Sequence, residues 1–183
     1  MAAVGADQLG FTLVLGGARS GKSALAERVT LAQAGGHAPV YIATAQAWDD
    51  EMRDRIALHQ QMRAGQGWRT IEAPLDLPAA LGDLPRNTPV LIDCLTLWLS
   101  NLLLAETDIP AQSRHLRQAL AAHAGPVVAV ANEVGLGIVP DNALARRFRD
   151  AAGRLNQDLA QQADCVVFVA AGLPMVLKGA LPH

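Results

Sequence analysis

Residues 11–23 read FTLVLGGARSGKS, and the helical pattern KSALAERVTLAQA follows from residue 22 without a break. The apolar half, FTLVLG, has the continuous rather than alternating hydrophobicity of a strand covered on both faces. The second half matches G-x-x-x-x-G-K-[ST] through Gly16, Gly21, Lys22 and Ser23, in the strand, loop and helix setting that this motif requires. Its glycines let the backbone turn tightly. The N–H groups of Gly16, Gly17, Ala18, Arg19, Ser20 and Gly21 and the start of the helix can then point at phosphate oxygens. Lys22 would neutralise the β- and γ-phosphates, and the Ser23 hydroxyl would bind Mg²⁺. The stretch predicts a phosphate-binding loop for a nucleoside triphosphate such as ATP or GTP.

Four further apolar runs punctuate the chain: PVYIAT (39–44), PVLIDC (89–94), PVVAVA (126–131) and CVVFVA (165–170). Helical stretches lie between them, including residues 51–63, TLWLSNLLL (96–104) and NALARRFRDAAGRLNQDLAQQA (142–163). In the last, Leu144, Phe148, Ala152, Leu155 and Leu159 form one apolar stripe, and Asp141 after Pro140 offers a helix start. Alternating strand and helix predicts the α/β class, with a mainly parallel central sheet flanked by helices in three layers. The chain reads as a flexible leader (1–10), a single nucleotide-binding domain (11–178) and a tail (179–183). The proline-bearing segment 75–89 reads as a surface connection around a short helix.

A carboxylate should end a second buried strand near the phosphate loop, and Asp93 is the candidate. It can order the metal or, alternatively, cap the helix that follows. In open α/β sheets ligands gather at the carboxyl edge, which places the loops after residues 44, 72, 93 and 131 around the nucleotide. The loop alone leaves kinase, motor and regulatory switch open.

Composition removes other classes. The 183 residues carry a formal net charge of −2, which argues against a broad nucleic-acid-binding surface. The longest uncharged apolar stretches, such as CLTLWLSNLLLA (94–105), fall short of the ~20 residues a bilayer needs, so no membrane span is expected. The amino terminus, MAAVGADQLG, has no signal-peptide pattern. Cys94 and Cys165 have no zinc-ligand spacing and read as buried reduced thiols, which fits a cytoplasmic location.

Residues 51–63, EMRDRIALHQQMR, place Glu51, Arg55, His59 and Arg63 at every fourth position. Such i,i+4 charges commonly support an exposed helix, contributing a few tenths of a kcal/mol each. Four residues advance roughly 400°, so the two ends of the row lie about 120° apart and do not form a flat array. Spacing alone favours a solvated, salt-bridged surface over a ligand-facing row.

Several stretches taken together resemble the family of bifunctional adenosylcobinamide kinase / adenosylcobinamide-phosphate guanylyltransferase. They are GGARSGKS, YIAT with the run from Tyr41 to His59, WRTIE (68–72), DCLTLWLSNLL (93–103) and NEVGLGIVP (132–140) leading into ALARRFRDAAGRLNQ. The resemblance spans roughly residues 11–178. It implies a RecA-like phosphate-loop fold and two reactions: phosphorylation of adenosylcobinamide, then transfer of GMP from GTP to adenosylcobinamide phosphate through a guanylylated histidine. The matching histidine is His59. It further implies a homotrimer and a nucleotide site that includes Ala43, Thr44, Ala45, Gln60, Gln61, Met62, Arg63, Glu72 and Asp93.

The chemistry is consistent with that role. A neutral imidazole is a competent nucleophile toward an α-phosphate, and a covalent intermediate splits a displacement between two anions into separate steps. Arg55 and Arg63, one turn either side, can hold phosphate oxygens. Glu72, ending a short strand, could accept from the guanine N1–H and N2 edge or stand as an exposed charge. In NEVGLGIVP, Asn132 and Glu133 sit at a strand end, and Gly135 and Gly137 suggest a sharp turn or a close approach to substrate. Ala45 departs from the small hydroxyl residue often found at its position. Two other readings remain: a small-molecule kinase without nucleotidyl transfer, and a regulatory module that binds nucleotide without useful turnover.

Overall fold

A computed structural model of the chain describes residues 10–46, 65 and 67–181. The helix expected over 51–63, with Glu51, Arg55, His59, Gln60, Gln61, Met62 and Arg63, lies outside the described residues, as do most of the leader and the end of the tail. In chain order the described elements are β1 (Phe11–Gly16), α1 (Lys22–Gln33), β2 (Val40–Ala43), β3 (Arg69–Glu72), α2 (Leu77–Gly82), β4 (Val90–Asp93) and α3 (Leu95–Leu104). There follow α4 (Ile109–Ala122), β5 (Val127–Asn132), α5 (Ala143–Gln162), β6 (Cys165–Ala170) and β7 (Leu173–Lys178). The described strands form one sheet in the order β3-β2-β4-β5-β1-β6-β7. All neighbours pair in parallel except β6 and β7.

The uninterrupted apolarity of the central strands follows from burial on both sides. Successive side chains point to opposite faces. Leu13, Leu15, Ile42, Ile92 and Ala129 therefore meet Trp98 and Leu102 of α3, Leu116 of α4, and Leu155 and Leu159 of α5. The intervening Val14, Tyr41, Leu91, Val128, Val130 and Val167 pack against Leu25, Ala26 and Val29 of α1. Each fully buried Leu or Ile contributes about 1.5–3 kcal/mol. The expected three layers are present, and Leu181, in the segment expected as tail, also packs on the α1 side.

The structure departs from the sequence reading in several places. Helix α5 starts one residue later than Asp141 implied, because the Asn142 side chain accepts from Ala145 N at 2.7 Å and caps it. Its stripe is buried only from Ala152 onward; Phe148 is half-buried and Leu144 exposed. A helix of 20 residues spans about 30 Å, longer than strands of 4–6 residues, so its first turns overhang the sheet. Segment 75–89 is anchored rather than superficial, with Leu77, Leu81 and Leu84 buried in the core.

Two elements were not anticipated. Helix α4 buries only Leu116 and Leu120, too thin a stripe to stand out; its signal is Asp108, whose side chain accepts from Ala111 N, followed by Pro110 in the first turn. Strand β7 is exposed along its whole length and joins β6 through Ala171 and Gly172, both at positive φ (52° and 78°). That is the twist-compatible two-residue hairpin, built here without the usual Asn-Gly signature. No helix among the described residues is long and apolar enough to cross a membrane.

Candidate active site at the carboxyl edge of the sheet

Strands β1 and β5 are adjacent, with Gly16 in register with Asn132. The chain leaves β1 into α1 on one face and β5 into α5 on the other. Loops diverging from neighbouring parallel strands open a crevice between their carboxyl ends. The phosphate loop forms one wall of it and the segment after Asn132 the other.

The phosphate loop is shaped by contacts that exclude side chains. A Cβ on Gly16 would lie 2.6 Å from both Val169 O and Ser20 Oγ, and one on Gly21 would lie 3.2 Å from Gly172 Cα. Arg19 and Gly21 take positive φ (54° and 94°), which turns the chain into α1. Gly172 N donates to Ser20 O at 2.8 Å, so the β6–β7 turn braces the loop from outside. Gly21 provides no side-chain cap. The first-turn N–H groups and the positive helix end are thereby available to an anion. Lys22 Nζ donates to Gly17 O at 3.0 Å, folded over the loop. Ser20 is buried and its Oγ has no hydrogen-bond partner.

Asp93 ends β4, two strands from β1. Tyr41 donates its hydroxyl to Asp93 Oδ2 at 2.9 Å and stands edge-on to Trp68 at 6.1 Å. The capping alternative is not taken: the residue capping α3 is Cys94, with no side-chain hydrogen bond at that cap. Asp93 is therefore a carboxylate oriented from β2. Ser23 and Asp93 offer the hard oxygen donors that suit Mg²⁺. No group of three His, Cys, Asp or Glu side chains that could hold a metal occurs among the described residues. A cation here would take most of its shell from phosphate oxygens and water, as Mg²⁺ does.

The ends of β2 and β4 are fastened together beneath this site. Thr44 Oγ1 donates to Cys94 O at 2.7 Å and accepts from Cys94 N at 2.9 Å. Asn101 Nδ2 donates to Thr44 O at 2.8 Å and to Pro74 O at 3.0 Å. Thr44 is wholly buried, and its hydroxyl is taken up by these bonds to the Cys94 backbone. Ala43 and Ala45 are half-buried on either side of it. Burial, and then the charge of Asp93, push the Cys94 thiol up to about 11, leaving it protonated and inert at neutral pH.

On the other wall, Asn132 N donates to Thr96 Oγ1 at 2.6 Å and Glu133 N to Gly16 O at 3.1 Å. Asn132 Oδ1 is buried without a partner. Glu133 Oε1 accepts from Gly135 N at 2.6 Å, closing a tight turn, and a Cβ on Gly137 would meet nothing. Glu72 is exposed at the end of edge strand β3, level with Ala43. The structure thus brings together the loop 16–23, Asp93 and Asn132–Glu133, with Glu72 farther along the same edge. Sequence reasoning missed Tyr41, Thr96, Asn101 and Gly172 as supports. Asn101 had a legible signal, a lone amide inside the apolar helix LTLWLSNLLL, since a buried amide needs partners.

Residues 12–177 match the family of cobinamide kinase / cobinamide phosphate guanyltransferase. The bifunctional adenosylcobalamin biosynthesis protein CobP of Pseudomonas aeruginosa is 49% identical over 170 residues, covering 91% of this chain and 96% of that protein. The corresponding CobU proteins of Salmonella typhimurium and Escherichia coli are each 42% identical, covering 91% of this chain and 98% of theirs. The flagellar accessory protein FlaH from Methanocaldococcus jannaschii superposes with a TM-score of 0.52 at 12% identity, over 96% of this chain and 81% of that one, and so shares the fold. The chain belongs to the cobinamide kinase / cobinamide phosphate guanyltransferase family.

Proposed function

We propose that this chain phosphorylates adenosylcobinamide and then converts the phosphate to adenosylcobinamide-GDP, using one nucleotide crevice for both steps. The observation that carries the reading is the coincidence of a braced phosphate loop with an Asp93 carboxylate held by Tyr41, in a chain whose family match spans residues 12–177. In the first step the acceptor hydroxyl attacks the γ-phosphorus of ATP or GTP and the nucleoside diphosphate leaves. Lys22 and the N–H groups of residues 16–23 hold the β- and γ-oxygens as charge moves onto the leaving group. Ser23 and Asp93 would hold Mg²⁺, which supplies charge neutralisation between the phosphates.

In the second step a ring nitrogen of His59 attacks the α-phosphorus of GTP and pyrophosphate leaves. The phosphate of adenosylcobinamide phosphate then attacks the guanylylated imidazole, forming the new P–O–P bond and freeing His59. Arg55 and Arg63 hold oxygens of the incoming nucleotide, with Gln60, Gln61 and Met62 beside them, and Glu72 reads the guanine edge. The enzyme works in the cytoplasm as a homotrimer. The exposed apolar edge of β7, with Leu173, Met175, Val176 and Leu177, is consistent with such an assembly.

The test is to incubate the full chain with adenosylcobinamide, ATP, GTP and Mg²⁺ and to follow the corrinoid by mass spectrometry. Adenosylcobinamide phosphate should appear first and adenosylcobinamide-GDP after it, and Lys22→Ala should lower the first step by at least roughly 100-fold. A product series that stops at the phosphate would establish a small-molecule kinase instead.

A further inference from the structure

Residues 134–140, VGLGIVP, contain no charged side chain, yet they rise directly from the nucleotide crevice. Leu136 is 82%, Ile138 97% and Val139 59% exposed, and Leu144 just beyond them is exposed too. Apolar side chains this open to water, held in one place, mark a surface that something covers. The segment is held at both ends. Glu133 N bonds Gly16 O at its root, and Arg146 Nη1 donates to Pro140 O (3.0 Å) and Asp141 O (2.7 Å) at its far end.

The identity of the covering group follows from where the crest stands. In the order β4-β5-β1, the two proposed metal-holding residues, Ser23 after β1 and Asp93 on β4, straddle the end of β5. The β- and γ-phosphates therefore lie over Asn132, from which the crest springs. A hydroxyl that attacks the γ-phosphorus must come in at that point. The rest of the acceptor, a macrocycle far larger than the nucleotide with a methyl-bearing rim and uncharged amide arms, must then lie against what borders it. An uncharged apolar crest suits that rim and gives a phosphate chain nothing to bind.

We propose that Leu136, Ile138 and Val139 form the shelf on which the corrinoid ring of the acceptor rests while its hydroxyl reaches the γ-phosphate. This rests on the function proposed above and adds to it the residues that select a corrinoid over smaller alcohols. The polar root and the apolar crest divide the work: Asn132 and Glu133 stand at the reacting end, and the crest holds the ring.

Binding, rather than turnover, separates this proposal from the reading it rests on. Adenosylcobinamide is dialysed to equilibrium against the full chain with Mg²⁺ and a non-hydrolysable ATP analogue, so that no phosphate is transferred, and its visible absorbance reports the bound fraction. The double variant Leu136→Ser/Ile138→Ser should raise the corrinoid Kd at least roughly tenfold, with ATP affinity and solution mass unchanged. Leu104→Ser, an exposed apolar residue at the end of α3, should leave the corrinoid Kd as it is. Unchanged corrinoid affinity in the double variant, in a wild-type chain that binds and phosphorylates the corrinoid, would overturn the shelf alone. A fall in solution mass with the loss of affinity would make the crest a subunit contact and also overturn it. A wild-type chain that binds no adenosylcobinamide would overturn both.

Discussion

On the β6 side of the phosphate loop, Gly172 N donates to Ser20 O at 2.8 Å, and Val169 O lies 2.6 Å from where a side chain on Gly16 would begin. On the β5 side, Asn132 Oδ1 is buried without a partner, and the chain runs on into a segment whose Leu136 and Ile138 face solvent. Both flanks bond the loop backbone to backbone, through Gly172 N and Glu133 N, but only the β6 flank closes against Gly16 and Gly21, and the β5 flank leaves polar and apolar groups unsatisfied at the crevice. The first fixes the shape that holds phosphate, and the second leaves surface for whatever the phosphate is passed to. A site that combines a rigid anion cradle with a large acceptor needs both in one place.

Two glycines break or sharpen this contrast, because an added Cβ would be too close in both and only one neighbour can yield. The larger effect is expected at Gly16. In Gly16→Ala the new carbon presses on the carbonyl of Val169, which belongs to the sheet and cannot move aside. Overpacking of this kind costs about 1–3 kcal/mol. Thermal melts should show a midpoint lowered by several degrees, and ATP titration should show binding weakened by at least roughly 100-fold. Retention of wild-type ATP affinity in Gly16→Ala would mean that the β6 flank does not set the loop's shape.

The smaller effect is expected at Gly135, where a Cβ would lie 2.8 Å from Glu133 Oε1, the far end of a flexible side chain. The carboxylate can rotate away, so Gly135→Ala should change stability by less than about 0.5 kcal/mol, with the melting midpoint moving by no more than about 2 °C. A loss as large as that at Gly16 would show the β5 flank to be as tightly fastened as its counterpart.

What could be read from the sequence follows the same division. The loop from Gly16 to Ser23 was legible because its requirement is local: glycines, a lysine and a hydroxyl at fixed spacing between a strand and a helix. Asp93 was legible as a charge ending an apolar run. The hydrogen bonds that place these groups join residues about 50 apart, Tyr41 to Asp93 and Thr44 to Cys94, and no periodicity announces them. Thr44 shows the consequence, since nothing in the YIAT run announces that its hydroxyl ties β2 to β4. Strand β7 escaped notice because exposure on both faces, with a proline inside it, removes the pattern by which strands are recognised. In residues 51–63 spacing alone favoured a charged surface, and the role proposed for His59 came from the company of the other motifs.

That role is the point on which the account most depends. The direct measurement is to incubate the chain with Mg²⁺ and GTP labelled at the α-phosphate, without corrinoid, and then to denature and separate it. Acid-labile label should stay with the wild-type protein, disappear in His59→Ala, and leave the wild-type protein as adenosylcobinamide-GDP when adenosylcobinamide phosphate is added. Label that persists in His59→Ala, or a wild-type chain that retains none, would contradict the guanylylated histidine.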